Sequence, residues 1–157
     1  MKNILDKTAF PFFAFGLFSC ASGIAAAADN AGLNEFHDKS WYLDEVKTGT
    51  NIIYINRENK PDSIYTIMFN TERFAGVGAP NHFYGSYTAN KDYTLLFKKV
   101  NSTRMLPIFE MPDIKEHEYF AYIERTTCWK IRAGKLELYS SKEDGTKVIL
   151  VYSNGRE

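Results

Sequence analysis

The sequence lacks an excess of either charge, because 19 Lys and Arg balance 19 Asp and Glu over 157 residues. Proteins that bind nucleic acid usually carry a basic face that neutralises phosphates, so nucleic acid is not expected as a partner. The longest basic run, Lys98-Lys99, is too short for a polybasic patch that would bind a membrane. Two cysteines and three histidines leave little material for a metal site.

The motifs of common enzyme classes are missing as well. The glycines of residues 76–81 are not followed by the Lys-Ser/Thr of a phosphate-binding loop, and the chain has no G-x-S-x-G. The pair His117-Glu118 would need a second histidine one turn later to resemble a metalloprotease helix, but Ala121 stands there. No catalytic residue, metal ligand or cofactor is therefore predicted, and a hydrolase is left as a third possibility only.

The N-terminus has the layout of a secretory signal peptide. Lys2 and Lys7 precede a compact apolar stretch over residues 9–18, and small residues follow. Three outcomes stay open. Cys20, after Leu-Phe-Ser, resembles the lipid-modified cysteine of a bacterial lipoprotein, which makes residues 1–19 the signal. Ordinary cleavage after Ala28 makes the signal 1–28, and an uncleaved anchor helix over residues 8–28 is the third outcome.

The number of cysteines that remain available for a disulfide depends on this processing. Cys20 is acylated in the first outcome and removed in the second, which leaves Cys128 without an intrachain partner. The predicted compartment, the periplasm or the outer envelope, permits disulfides, but the mature domain is expected to contain none.

Residues 29–40 are polar and show no periodicity, so they are predicted to be a linker before a domain at 41–153 and a tail at 154–157. The domain is rich in β-branched and aromatic residues in short runs separated by turn residues. The predicted strands are 41–46, 52–55, 64–69, 73–77, 84–89, 93–100, 128–133, 135–140 and 147–152. One helix is predicted from Pro112 to about Thr126. The short connections between strands favour antiparallel pairing.

Several motifs in the right order resemble the META domain, the family of the HslJ heat-shock protein. The first is the segment FNTERFAGVGAPNHFYGSY, in which the matching residues are Phe69, Gly76, Asn81, Phe83, Gly85 and Tyr87. The second is Thr103-Arg104-Met105, and further single matches are Trp41, Leu43, Glu116, Tyr119, Ile123, Leu136 and Leu138. The resemblance covers about residues 41–152.

Two cysteines of the family pattern are replaced here by proline. Pro80 stands before Asn81, and Pro107 follows the Thr103-Arg104-Met105 motif. The joint loss of both cysteines suggests that Pro80 and Pro107 are neighbours in space.

The resemblance implies a β-rich α+β fold, a small antiparallel lipocalin-like β-barrel or strongly curved sheet with one α-helix. It also implies a bacterial envelope protein associated with stress, with some likeness to pilotin lipoproteins, and it implies no enzymatic reaction. The predicted function is therefore non-enzymatic: binding or protecting an envelope partner through residues 81–87 and 104–107. The alternative is a carrier of a small apolar ligand or acyl chain in the barrel interior.

The candidate binding residues come from these loops and from the aromatic residues near them. They are Asn81, His82, Phe83, Tyr84, Tyr87, Arg104 and Met105. Arg104 could hold an anion or a partner's carboxylate, or it could clamp backbone carbonyls near Asn81. The aromatic residues, with Tyr119 and Tyr122, could line a pocket or a partner surface, or they could fill the core.

Overall fold

The computed structural model describes residues 36–56, 58, 61–106 and 112–155. These residues form nine strands and one helix. In chain order they are β1 (Ser40–Thr48), β2 (Asn51–Tyr54), β3 (Thr66–Phe69), β4 (Arg73–Val77), β5 (His82–Ala89), β6 (Leu95–Ser102), α1 (Glu116–Glu124), β7 (Cys128–Arg132), β8 (Lys135–Ser141) and β9 (Lys147–Asn154).

The nine strands form one antiparallel sheet in the order β6-β5-β4-β3-β1-β9-β8-β7, with β2 paired to the second half of β1. The sheet curls until its two end strands meet at one end of the molecule. There, Leu95 N donates to Thr127 O and Trp129 N donates to Tyr93 O, both at 2.9 Å. The result is a curled half-barrel with α1 packed against β6 and β8. The predicted fold class is confirmed.

Alternating side chains of the strands fill the inside of the half-barrel, as expected for sheets with one buried face. Leu136 and Leu138 of β8 face inward, as do Val148, Leu150 and Tyr152 of β9. Aromatic rings occupy much of the rest and contact one another. Their centroids lie 4.7 Å apart for Phe74 and Phe97, 5.0 Å for Tyr65 and Tyr119, and 5.6 Å for Phe83 and Tyr119.

The ends of several elements differ from the predicted ones for local reasons. Tyr65 and Tyr93 have φ of 48° and 67°, so β3 and β6 begin after them rather than at residues 64 and 93. The helix begins at Glu116 instead of Pro112. At its start, Lys115 N donates to Glu118 Oε2 at 3.1 Å. Position 154, predicted to be in the tail, still belongs to β9 and pairs with Trp41.

The segment predicted as a linker is part of the folded domain from Phe36 onward. The Phe36 ring is fully buried, 4.1 Å from the Phe69 ring and 5.0 Å from the Trp129 ring. Its carbonyl accepts a hydrogen bond from Trp41 Nε1 at 3.0 Å. The linker prediction is therefore wrong for residues 36–40, because a single apolar residue without periodic neighbours gives no sequence signal.

The expectation that the mature domain contains no disulfide stays a prediction, because within the chain its one cysteine can pair only with Cys20. In the unprocessed chain, Cys128 is disulfide-bonded. Its side chain is buried at the start of β7. The only other cysteine of the chain, Cys20, lies outside the described residues, as does the whole predicted signal segment 1–28. Within the described residues, no helix is long and apolar enough to cross a membrane.

Candidate functional site

Asn81 lies at the centre of a hydrogen-bond network that joins two loops and the helix. It follows the cis peptide bond between Ala79 and Pro80, and only 7% of its surface is exposed. Its Oδ1 accepts hydrogen bonds from Met105 N at 2.6 Å and from Thr103 Oγ1 at 2.9 Å, while its Nδ2 donates to Met105 O at 3.3 Å. One asparagine side chain thus satisfies both backbone groups of Met105.

Glu116, the first residue of α1, completes this network from the helix side. Its Oε1 accepts from Ala79 N at 2.5 Å and from Asn81 N at 2.6 Å, and its Oε2 accepts from Asn81 Nδ2 at 2.6 Å. Hydrogen bonds to a carboxylate are stronger than those between neutral groups. Gly78 makes room for this carboxylate, since a Cβ there would lie 2.5 Å from Glu116 Oε1.

The negative charge of Glu116 also affects its buried neighbour Tyr65. Burial first, and then the Glu116 carboxylate, raise the pKa of the Tyr65 phenol above its ordinary value. The neutral phenol donates to Ile114 O at 2.6 Å, just ahead of the helix. The arrangement fixes the start of α1 on the sheet.

The network holds residues 104–106 at the surface, and we name these three residues the presented segment. The exposed fraction is 46% for Met105 and 87% for Leu106, and Arg104 is exposed as well. No ion pair between described residues includes Arg104. The segment therefore offers two apolar side chains and one positive charge, on a backbone that Asn81 holds at Met105.

The remaining candidate residues separate into buried and exposed ones. Phe83 and Tyr87 are buried, Phe83 among aromatic rings and Tyr87 with its hydroxyl 2.7 Å from His37 Nε2. His82 and Tyr84 are exposed on the outer face of β5. The two buried side chains fill the half-barrel, as do Tyr119 and Tyr122.

The prediction that Pro80 and Pro107 are neighbours stays a prediction, because Pro107 lies outside the described residues. The residues that follow Pro80 are in contact with those that precede Pro107. Asn81 bonds to Met105, and Thr103 N donates to His82 O at 3.0 Å.

The sequence predicts Asn81, Arg104 and Met105 as binding residues and includes Leu106 in the predicted binding loop 104–107, but it gives no role to Glu116. Glu116 is 35 residues from Asn81 in the chain, and an acidic residue in the first turn of a helix is ordinary because it complements the helix dipole. In the described ranges, no three His, Cys, Asp or Glu side chains come together in a way that could hold a metal ion.

Two solved structures share this fold. One is the NMR structure of a protein from Burkholderia xenovorans, with a TM-score of 0.59, 19% identity, and coverage of 87% of this chain and 96% of that one. The other is the crystal structure of a DUF4847 family protein from Bacteroides vulgatus, with a TM-score of 0.53, 16% identity, and coverage of 80% and 100%. No curated protein matches the sequence.

The sequence itself matches the model of the META domain over residues 34–153, a span that includes the half-barrel, the Asn81 network and Phe36. This chain belongs to the META domain family.

Proposed function

We propose that this META-domain protein is exported to the bacterial cell envelope and there binds and protects another envelope protein, without catalysing a reaction. The observation that carries the proposal is the presented segment, in which Met105 and Leu106 are exposed and the backbone of Met105 is held by Asn81. Exposed apolar side chains on a fixed backbone are typical of binding surfaces, because little conformational entropy is lost on association. The resemblance to the HslJ family suggests that the protection is needed under stress.

The charge of the segment indicates the chemistry of the partner. Arg104 stands beside two apolar side chains and is not part of an ion pair between described residues. A partner with an apolar patch flanked by a carboxylate complements this surface, since arginine binds carboxylates with two parallel hydrogen bonds.

The packing of the interior supports a surface site rather than a carrier of apolar ligands inside the barrel. The rings of Phe74, Phe83 and Tyr119 touch neighbouring rings, and Tyr152 Oη donates to Tyr119 Oη at 3.2 Å deep in the core. A ligand in the interior would have to displace these side chains from a close-packed arrangement.

Photo-crosslinking in living cells tests the proposed surface. A photoreactive phenylalanine analogue at position 106 is expected to crosslink one envelope protein. The same analogue at position 54 serves as the control. Tyr54 is also a large exposed side chain, with an exposed fraction of 66%, and it lies on β2. The double variant Arg104→Ser and Met105→Ser is expected to lose the crosslink from position 106 without a change in the free energy of unfolding. Identical crosslinks from positions 54 and 106 would contradict the proposal.

We further propose that the mature chain is anchored by a lipid on Cys20, in place of the disulfide that Cys128 forms in the unprocessed chain. A thioether to a lipid uses the Cys20 sulfur, and the chain has no third cysteine for the disulfide of Cys128. The lipid and an intrachain disulfide therefore exclude one another. Labelled palmitate is expected in the wild type and not in Cys20→Ala. An unlabelled wild-type chain whose intact mass rises by two hydrogen atoms on reduction would refute the anchor and leave the presented segment unaffected.

A further inference from the structure

A groove runs along β4 on the outer face of the sheet. Its floor is the small side chain of Ala75, and its walls are Met68 on β3 and Tyr84 on β5, which are the register partners of Ala75 on either side. Met68 is 46% and Tyr84 55% exposed. Two depressions of about 540 and 240 Å³ share Met68 and Ala75, so they form one groove.

The width and length of the groove suit a single extended chain. Its walls stand two strand spacings apart, or about 9.5 Å between the backbones, which leaves room for one hydrocarbon chain between the side chains. The five residues of β4, Arg73–Val77, span about 16 Å at the usual rise per strand residue.

One end of the groove carries positive charge without a matching negative charge. Arg73 and Lys99 line the larger depression, and its lining includes no Asp or Glu. Neither cation belongs to an ion pair between described residues. The polar side chains of Asn70, Ser86 and Asn101 also line this depression. A groove with walls at Met68 and Tyr84 and a cationic end complements an amphiphile with an anionic head.

The backbone of the floor argues against a peptide as the occupant. β4 is already hydrogen-bonded to β3 on one side and to β5 on the other, so it cannot accept another strand. A peptide lying on Ala75 would place its amide groups against an apolar surface, which costs free energy unless they find partners. A hydrocarbon chain has no such groups.

We propose that the groove along β4 binds a single-chain fatty acid, with the acyl chain between Met68 and Tyr84 and the carboxylate at Arg73 and Lys99. A phospholipid is excluded from this proposal because the groove is one chain wide. The lining of the groove includes no residue of the presented segment, and the inference does not depend on the function proposed for that segment.

Calorimetric titration of the mature protein with dodecanoate, below its micelle concentration, tests the site. Binding is expected for the wild type and not for Ala75→Leu, whose larger side chain fills the floor at an exposed position. Arg73→Gln and Lys99→Asn are each expected to weaken dodecanoate about fivefold, the upper range for an exposed charge pair, and to leave decanol unaffected. Asparagine is chosen because Lys99 has φ of 52°, which asparagine tolerates. Lys142→Gln, which removes an exposed cation in the β8–β9 turn, is the matched control and is expected to bind like the wild type.

Any of four results would overturn the proposal. One is unchanged binding to Ala75→Leu, and another is equal loss of decanol and dodecanoate in the charge variants. The third is binding to phosphatidylglycerol vesicles but not to dodecanoate. Amide shifts in an NMR titration should centre on Ala75 and Tyr84; shifts centred on Phe83 and Tyr119 would place the ligand in the interior and refute the groove. None of these results bears on crosslinking from position 106.

Discussion

Replacing Glu116 by alanine is expected to lower the free energy of unfolding by about 3 kcal/mol, since buried donors that lose a charged acceptor each cost about 1–3 kcal/mol. The variant leaves the amides of Ala79 and Asn81, together with Asn81 Nδ2, without their carboxylate. Urea unfolding followed by tryptophan fluorescence measures the change. The presented segment should also loosen, because Asn81 would no longer be fixed from the helix side.

Two further variants distinguish the contribution of the Glu116 carboxylate to stability from the effect of any substitution in this helix. Glu124→Ala lies at the exposed end of the same helix and is expected to change the free energy of unfolding by less than about 0.5 kcal/mol. Glu116→Gln retains one acceptor oxygen but turns an amide donor toward other donors, so an intermediate loss is expected. Equal stabilities of Glu116→Ala and Glu124→Ala would show that the network contributes nothing.

Phe36→Ala is the second change with a large expected effect. Removing a fully buried phenylalanine side chain usually costs about 3–5 kcal/mol, because the cavity left behind is not refilled. Phe36 contacts Phe69 and Trp129, so a loss in this range is expected in thermal or urea unfolding of the mature domain.

The matched control is Lys39→Ala, three residues further on and partly exposed, for which a change near zero is expected. A Phe36→Ala protein as stable as Lys39→Ala would restore the interpretation of residues 29–40 as a linker.

The fold could be predicted from local pattern because strands such as β1 and β8 alternate more and less buried residues and most connections between strands are short. The features that the pattern does not predict depend on contacts between residues that are far apart in the sequence. Tyr65 takes a positive φ where its hydroxyl reaches Ile114 O, 49 residues away, so β3 starts two residues later than its apolar run suggests. Phe36 is buried by rings from β3, β5 and β7, none of which is near it in the sequence.

The candidate site was predictable only where a motif marked it. Asn81 and Met105 stand in matched motifs, and the structure brings them together. Glu116 is a single match to the family pattern, and nothing near it in the sequence indicates its role, which depends on the packing of the helix on the loop. The groove has no sequence motif, because it depends on the register of β3, β4 and β5. An exposed Met68 or Tyr84 alone is an ordinary surface residue.

The position of β1 at the middle of the sheet constrains the timing of folding. The first strand of the domain pairs with β9, the last, over seven residues of register, so the central pairing of the sheet joins the two ends of the domain sequence. A chain whose synthesis has not passed residue 147 lacks β9. It therefore lacks the pairing of β9 with β1 and also its pairing with β8. Contacts between distant residues slow folding because a long loop must close first. The domain therefore completes its fold only after its whole sequence is available.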